Sequence, residues 1–211
     1  DVIQFAKKVL EINLTTMQEA ILIAIFQGTE LNEDVFVSRK VLASIKKLSL
    51  EHRATAQSML SRCVLGMASA APEIVLDRRE GKTLLACICA LYCSYRFMHV
   101  ELTSRSVLLA SDHWKFSSNT VRPLAIKMSE SLGWRYVITT GSFTMCDLNT
   151  KQNVVLNYGP QHSAKNFQFQ AIICDEVRDH THNSLSADVF FTDGHQRMKR
   201  SSLIIRKAFT F

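Results

Sequence analysis

The spacing of apolar residues changes along the chain, and the changes mark out its elements. Residues 2–12 carry Val2, Ile3, Phe5, Ala6, Val9 and Leu10, a stripe at helical spacing. A second helix is expected over Met17–Phe26, capped by Thr15 or Thr16 and ended by Gly28. Residues 29–33 read as a polar loop, and 35–48 and 50–69 as two more helices, closed by Pro72. Short apolar runs then alternate with longer ones. Strands are expected at 73–77, 106–110, 134–140, 142–148, 153–158, 170–174 and 202–206. Helices are expected at 83–97 and 117–132, the second broken or begun near Pro123 and stopped at Gly133. The turn-rich Asn149-Thr150-Lys151-Gln152 between two β phrases predicts a hairpin, and 183–200 is weakly patterned.

Strands alternating with helices predict an α/β domain with a mostly parallel central sheet flanked by helices on both faces. A helical N-terminal part, 1–71, would precede an α/β core, 72–211. The chain has 211 residues, 47% hydrophobic and 21% charged, with 3 Pro and 7 Gly, which suits one domain with a two- or three-layer core. The longest apolar run, Leu84–Tyr95, is too short to span a bilayer, so no membrane association is expected. Four of the 6 Cys (Cys87, Cys89, Cys93, Cys174) lie in apolar runs without C-x-x-C spacing, which predicts buried, reduced thiols in an intracellular protein. A net charge of +6 mildly favours a polyanionic partner. Arg39, Lys40, Lys46, Lys47, His52, Arg53 and Arg62 would form a basic helical face, for which plain solvation is the commoner explanation. The start at Asp1 and the apolar end at Phe211 read as cuts in a longer protein.

The stretch with the most chemistry is Ile74–Thr83, IVLDRREGKT. A short apolar strand meets a charged turn, then Gly81-Lys82-Thr83, then a long helix. Polyphosphate binding needs close backbone N–H donors, a helix N-terminus, a lysine for the terminal phosphates and a hydroxyl for Mg²⁺, and these three residues supply them in order. The full pattern G-x-x-x-x-G-K-[ST] fails, because Leu76 stands at the first glycine position. A surface turn with one exposed lysine is the alternative for the tripeptide alone.

A second motif, Ala171–Glu176, is an apolar run ending in Asp175-Glu176. An acidic residue at a strand end can hold Mg²⁺ through water, and the next carboxylate can orient or deprotonate an attacking water. Asp175 is the candidate metal residue and Glu176 the candidate base. Arg78 or Arg79, just before Gly81, could neutralise the charge that develops in phosphoryl transfer. The two motifs together point to a nucleotide hydrolase with Mg²⁺, with Gly81, Lys82 and Thr83 on the phosphates.

In Asp77–Thr83 the chain resembles the ATPase domain of viral DNA-packaging terminase large subunits, whose phosphate loop drops the first glycine and carries arginine before Gly-Lys-Thr. The herpesvirus branch, with paired arginines, is the most similar. Leu14-Thr15-Thr16-Met17-Gln18 resembles the adenine-contacting Leu-x-x-x-Gln motif of that family, which makes Gln18 a candidate adenine contact. The resemblance spans roughly residues 5–211. It implies a P-loop NTPase fold of the RecA-like type with an inserted β-hairpin. It also implies ATP hydrolysis that drives double-stranded DNA into a capsid, and a homo-oligomeric ring with the portal protein and other terminase subunits, the isolated domain being able to stand as a monomer. Location in the host nucleus follows from the herpesvirus-like arginine pair. Lys165-Asn166 stands where the family often carries Arg-Gly. The coupling motif that follows the Asp-Glu strand should fall near Ser202–Thr210, where only Thr210 ends the apolar phrase. The family's nuclease domain is expected to be absent from this chain. Two other readings compete: a superfamily 2 helicase or translocase ATPase domain, which needs a second ATPase-like domain, and a non-catalytic nucleotide- or DNA-binding assembly protein.

Overall fold

The computed structural model describes residues 1–27, 35–37, 73–76, 79–99, 105–160, 169–176, 186–187, 189–193 and 204–205. The first helix, α1 (Val2–Lys8), starts where Asp1 accepts a 2.8 Å hydrogen bond from the Ile3 N–H on its carboxylate. The second, α2 (Thr16–Gln27), begins with a reciprocal cap. The Gln18 N–H donates to Thr15 Oγ1 at 3.3 Å, and the Thr15 N–H donates to Gln18 Oε1 at 3.0 Å. Each side chain thereby satisfies one of the orphan donors at a helix start.

Val35–Val37 forms a strand, β1, and not the start of the helix expected over 35–48. Three alternating β-formers pair in parallel with β2 (Glu73–Leu76), from Val35 opposite Glu73 to Val37 opposite Val75. The rest of the expected helices at 35–48 and 50–69, with their basic face, lies outside the described residues.

The long helix α3 (Lys82–Met98) follows β2, and its apolar residues are buried almost all round, as the sequence implies. It packs on β3 (Ser106–Ser111), β6 (Asn153–Gly159) and β7 (Ala171–Asp175). Leu85, Ile88 and Leu91 are fully buried, and each contributes about 2 kcal/mol by burial alone. The helix α4 (Trp114–Leu132) runs unbroken through Pro123 and ends at Gly133, which takes the left-handed conformation with φ 68°. Pro123 and Asn119 are both exposed, so the one helical hydrogen bond that proline removes falls on the solvent side.

In the main sheet β9 (Val189–Asp193) completes a parallel run, and β4 (Arg135–Ile138) and β5 (Ser142–Cys146) close one edge. The strand order is β1-β2-β9-β7-β3-β6-β5-β4. The expected mostly parallel sheet is thus a mixed one. From β1 to β6 neighbours run parallel, whereas β5 pairs antiparallel with both β6 and β4. Tight turns cause the reversal, since a parallel return needs a crossover of a dozen residues or more. In the β5–β6 turn, Asp147 accepts hydrogen bonds from the Asn149 N–H and the Thr150 hydroxyl, each at 2.9 Å. The β4–β5 turn is held by Tyr158, whose hydroxyl has the carbonyls of Thr139 and Ser142 as acceptors for its single proton and accepts from Arg122 Nε at 2.8 Å.

The strand expected at 202–206 is seen as β10 (Ile204–Ile205), which pairs with β8 (Ser186–Ala187) in a separate small sheet. Among the described residues no helix is long and apolar enough to cross a membrane. Cys87, Cys89, Cys93 and Cys174 are buried and form no disulfide. Burial pushes the Cys87 and Cys89 thiols well above their usual range.

Candidate functional site

The parallel strands carry their C-terminal ends to one side of the sheet. Leu76 is level with Asp193, Asp175 with Phe191, and Ser111 with Asp175. Glu80-Gly81 leads into α3 beyond the end of β2, and Asp175-Glu176 ends β7, with only β9 between the two strands. Ligands of open α/β sheets bind outside such carboxyl ends.

Backbone conformation shapes the loop. Gly81 sits at the N-terminus of α3 in the left-handed region, φ 86°. Conformation requires glycine there, and a Cβ would also lie 2.6 Å from Gln18 Nε2, the movable end of a side chain that would have to shift. Arg79 also has positive φ, 66°, and is exposed; Glu176 has φ 51°. Left-handed conformations in residues with side chains gather where a chain must present groups in a set direction. The Glu176 N–H donates to the Phe191 carbonyl at 2.9 Å, which fixes that bend against β9.

The charged groups converge. Lys82 is buried, and its Nζ lies 3.2 Å from Glu176 Oε1. Asp175 is 2% exposed. Its carboxyl is pushed up to about 6, first by burial and further by Glu176, while hydrogen bonds from the Thr83 and Ser117 hydroxyls and the charge of Lys82 pull it down. The Ser117 hydroxyl donates to Asp175 Oδ2 at 3.0 Å, whereas Oδ1 is buried without a hydrogen-bond partner.

Of the residues singled out in the sequence, Gln18, Gly81, Lys82, Thr83, Asp175 and Glu176 lie in one cluster. Arg79 borders it, and Arg78 lies outside the described residues. Gln18 has a place that the sequence did not suggest. Besides capping α2, its Nε2 donates to the Glu80 carbonyl at 3.3 Å, so it braces the loop from outside. Ser117 had no signal, because a serine inside a helical stretch carries no spacing. The strand beside β7 is β9, from the weakly patterned 183–200 region. It ends in Thr192-Asp193, and it lies between β7 and β2 in the main sheet, whereas Ile204–Ile205, within the stretch where the coupling motif was expected, lies in the separate small sheet. Lys165-Asn166 lies outside the described residues.

The donor set suits Mg²⁺. That ion takes oxygen ligands, keeps several waters and is held by one or two carboxylates together with substrate phosphates. Asp175, whose Oδ1 is buried without a hydrogen-bond partner and whose carboxyl also interacts with the Thr83 hydroxyl, offers with Thr83 such a donor pair. Among the described residues there is no group of three or more His, Cys, Asp or Glu able to hold a metal.

Comparison with protein-family descriptions, with curated proteins and with solved structures finds no match for this chain.

Proposed function

We propose that this chain is a P-loop ATPase domain of the terminase motor type, which hydrolyses ATP to drive double-stranded DNA. The observation that carries the reading is the meeting of Lys82 and Thr83, from the start of α3, with Asp175 and Glu176, from the end of β7. Two motifs far apart in sequence that share one site are much harder to reach by chance than either alone.

In this reading the triphosphate lies over the N-terminus of α3, where backbone N–H groups and the positive end of the helix dipole favour an anion. Lys82 meets the terminal phosphates. Thr83 and Asp175 would hold Mg²⁺, which when bound neutralises charge on the transferred phosphoryl group. Glu176 orients the attacking water and takes its proton, for which it must part from Lys82. Arg79, at the exposed rim, or Arg78 supplies positive charge to the transition state. Gln18 reaches adenine while bracing the loop. The ring of copies, the portal protein and the nuclear location belong to this same proposal and rest on the likeness of Asp77–Thr83 to the terminase loop.

The experiment is steady-state ATP hydrolysis over a series of protein concentrations, with and without double-stranded DNA. The reading expects turnover that rises faster than linearly with concentration, because neighbours complete the site. It also expects stimulation by DNA that fades with salt, since contacts to phosphate release counterions. Turnover indifferent to DNA at every salt concentration contradicts the motor assignment.

A further inference from the structure

Four buried serine hydroxyls lie in the two long helices, and three of them do the ordinary thing. Ser94 donates to the Ala90 carbonyl, Ser129 to the Ala125 carbonyl, each four residues back, and Ser118 to the Lys115 carbonyl three back. Ser117 does not. It is 1% exposed, yet it gives its proton to Asp175 Oδ2 at 3.0 Å, across the sheet edge and 58 residues away.

Its placement is fixed from several sides. The β3–α4 turn is closed by the His113 N–H donating to Ser111 Oγ at 3.1 Å, and Ser111 is level with Asp175 on the neighbouring strand. The Ser117 N–H donates to the His113 carbonyl at 3.2 Å, which sets the first turn of α4. From α3, the Cys87 thiol approaches the Ser117 carbonyl at 4.0 Å. A single serine thus ties α3, α4 and the end of β7 together. The consequence for Asp175 is directional: one oxygen is held and the other, Oδ1, is left buried and unpartnered.

We infer that Ser117 is a positioning residue for the metal site: it anchors Asp175 Oδ2 so that Oδ1 faces the divalent cation that accompanies the nucleotide. This rests on the ATPase reading above. Partners that orient a metal-holding carboxylate typically change metal affinity by roughly 10–100-fold when removed.

The test is Mn²⁺ binding, followed by electron paramagnetic resonance with the non-hydrolysable analogue AMP-PNP. Alongside it, binding of a fluorescent ATP analogue is measured in EDTA, for wild type, Ser117→Ala and Ser117→Thr. The expected result is at least about tenfold weaker Mn²⁺ binding in Ser117→Ala, unchanged metal-free nucleotide binding, and recovery in Ser117→Thr, which keeps the hydroxyl. Should Ser117→Ala not fold, Ser117→Cys, close in size and a weaker donor, carries the same comparison. Wild-type Mn²⁺ affinity in a folded variant lacking the hydroxyl overturns the inference. So does a loss that is equal in EDTA and not recovered by threonine, which is what a purely structural serine would give. A wild-type chain that binds neither probe sinks the ATPase reading itself, and this inference with it.

Discussion

Lys82 Nζ and Glu176 Oε1 lie 3.2 Å apart, so the candidate phosphate-binding lysine and the candidate base hold one another. The lysine is buried and the glutamate is partly exposed. In the proposed ATPase reading, a triphosphate that arrives at Lys82 must take it from Glu176, and the carboxylate is then released to meet water. On that proposal, the same contact that keeps a buried ammonium paired would delay the base until substrate is present.

Glu176→Gln separates these two effects. The neutral amide no longer competes for Lys82, so ATP affinity should rise a few-fold, while hydrolysis should fall by roughly 10²-fold or more with the base gone. Lys82→Ala should lower both. Equilibrium binding of a fluorescent nucleotide beside turnover checks this. Equal losses of affinity in the two variants would remove the competition from the account.

Asp175 should make the protein without nucleotide or metal less stable at neutral pH than in mild acid. Its folded value, about 6, stands above the ordinary 3.8, so the folded state keeps the proton that the unfolded chain has lost. Stability from this group is fully present below the unfolded value, falls as pH rises from there through 6, and stays low above. A shift of that size corresponds to about 3 kcal/mol. Asp175→Asn should therefore raise the melting temperature at pH 7.5, with the gain shrinking toward pH 4. Thermal melts across that range decide it; a variant less stable than wild type at pH 7.5 contradicts the burial argument.

The Gln18–Gly81 contact predicts coupling. Gly81→Ala should cost about 1–2 kcal/mol for a side chain in the left-handed region, plus a part due to the clash with the Gln18 amide. Gln18→Ala should cost about 1 kcal/mol through the lost cap of α2. Because the clash is absent in the double variant, its loss should be smaller than the sum of the two single losses. Denaturant unfolding of the four proteins measures it, and strict additivity would show that the contact is not felt.

Arg79, at φ 66°, should prefer glycine to alanine. Arg79→Gly should be more stable than Arg79→Ala by about 1 kcal/mol. If its guanidinium serves the phosphates, both variants should lose turnover alike despite that difference in stability. Full activity in both would pass the role to Arg78.

Much of this was legible because the strongest local signals coincide with the site. Gly81-Lys82-Thr83 stands between a strand and a buried helix, and Asp175-Glu176 ends a fully apolar run. Where signals were weak, tertiary pairing decided. Val35–Val37 is short and continues into a helical pattern, yet it becomes a strand because β2 offers an edge. Val189–Asp193 contains only five residues in a poorly patterned region, but it fills the gap between β2 and β7. Within the apolar, strand-like phrase at 202–206, Ile204–Ile205 pairs with β8 and not with the main sheet. The antiparallel edge at β4 depends on turn geometry, which the apolar pattern does not report. Ser117 acts through a contact across 58 residues, and no local rule reaches that far.

The central claim is that Lys82, Thr83, Asp175 and Glu176 form one hydrolytic centre. The most direct measurement is single-turnover hydrolysis of ATP with Mg²⁺ by wild type, Lys82→Ala and Glu176→Gln at one high protein concentration with DNA present. The account predicts phosphate release by wild type alone, with Glu176→Gln holding intact ATP. Hydrolysis that survives in both variants, or a wild type that binds ATP and never cleaves it, would contradict the account.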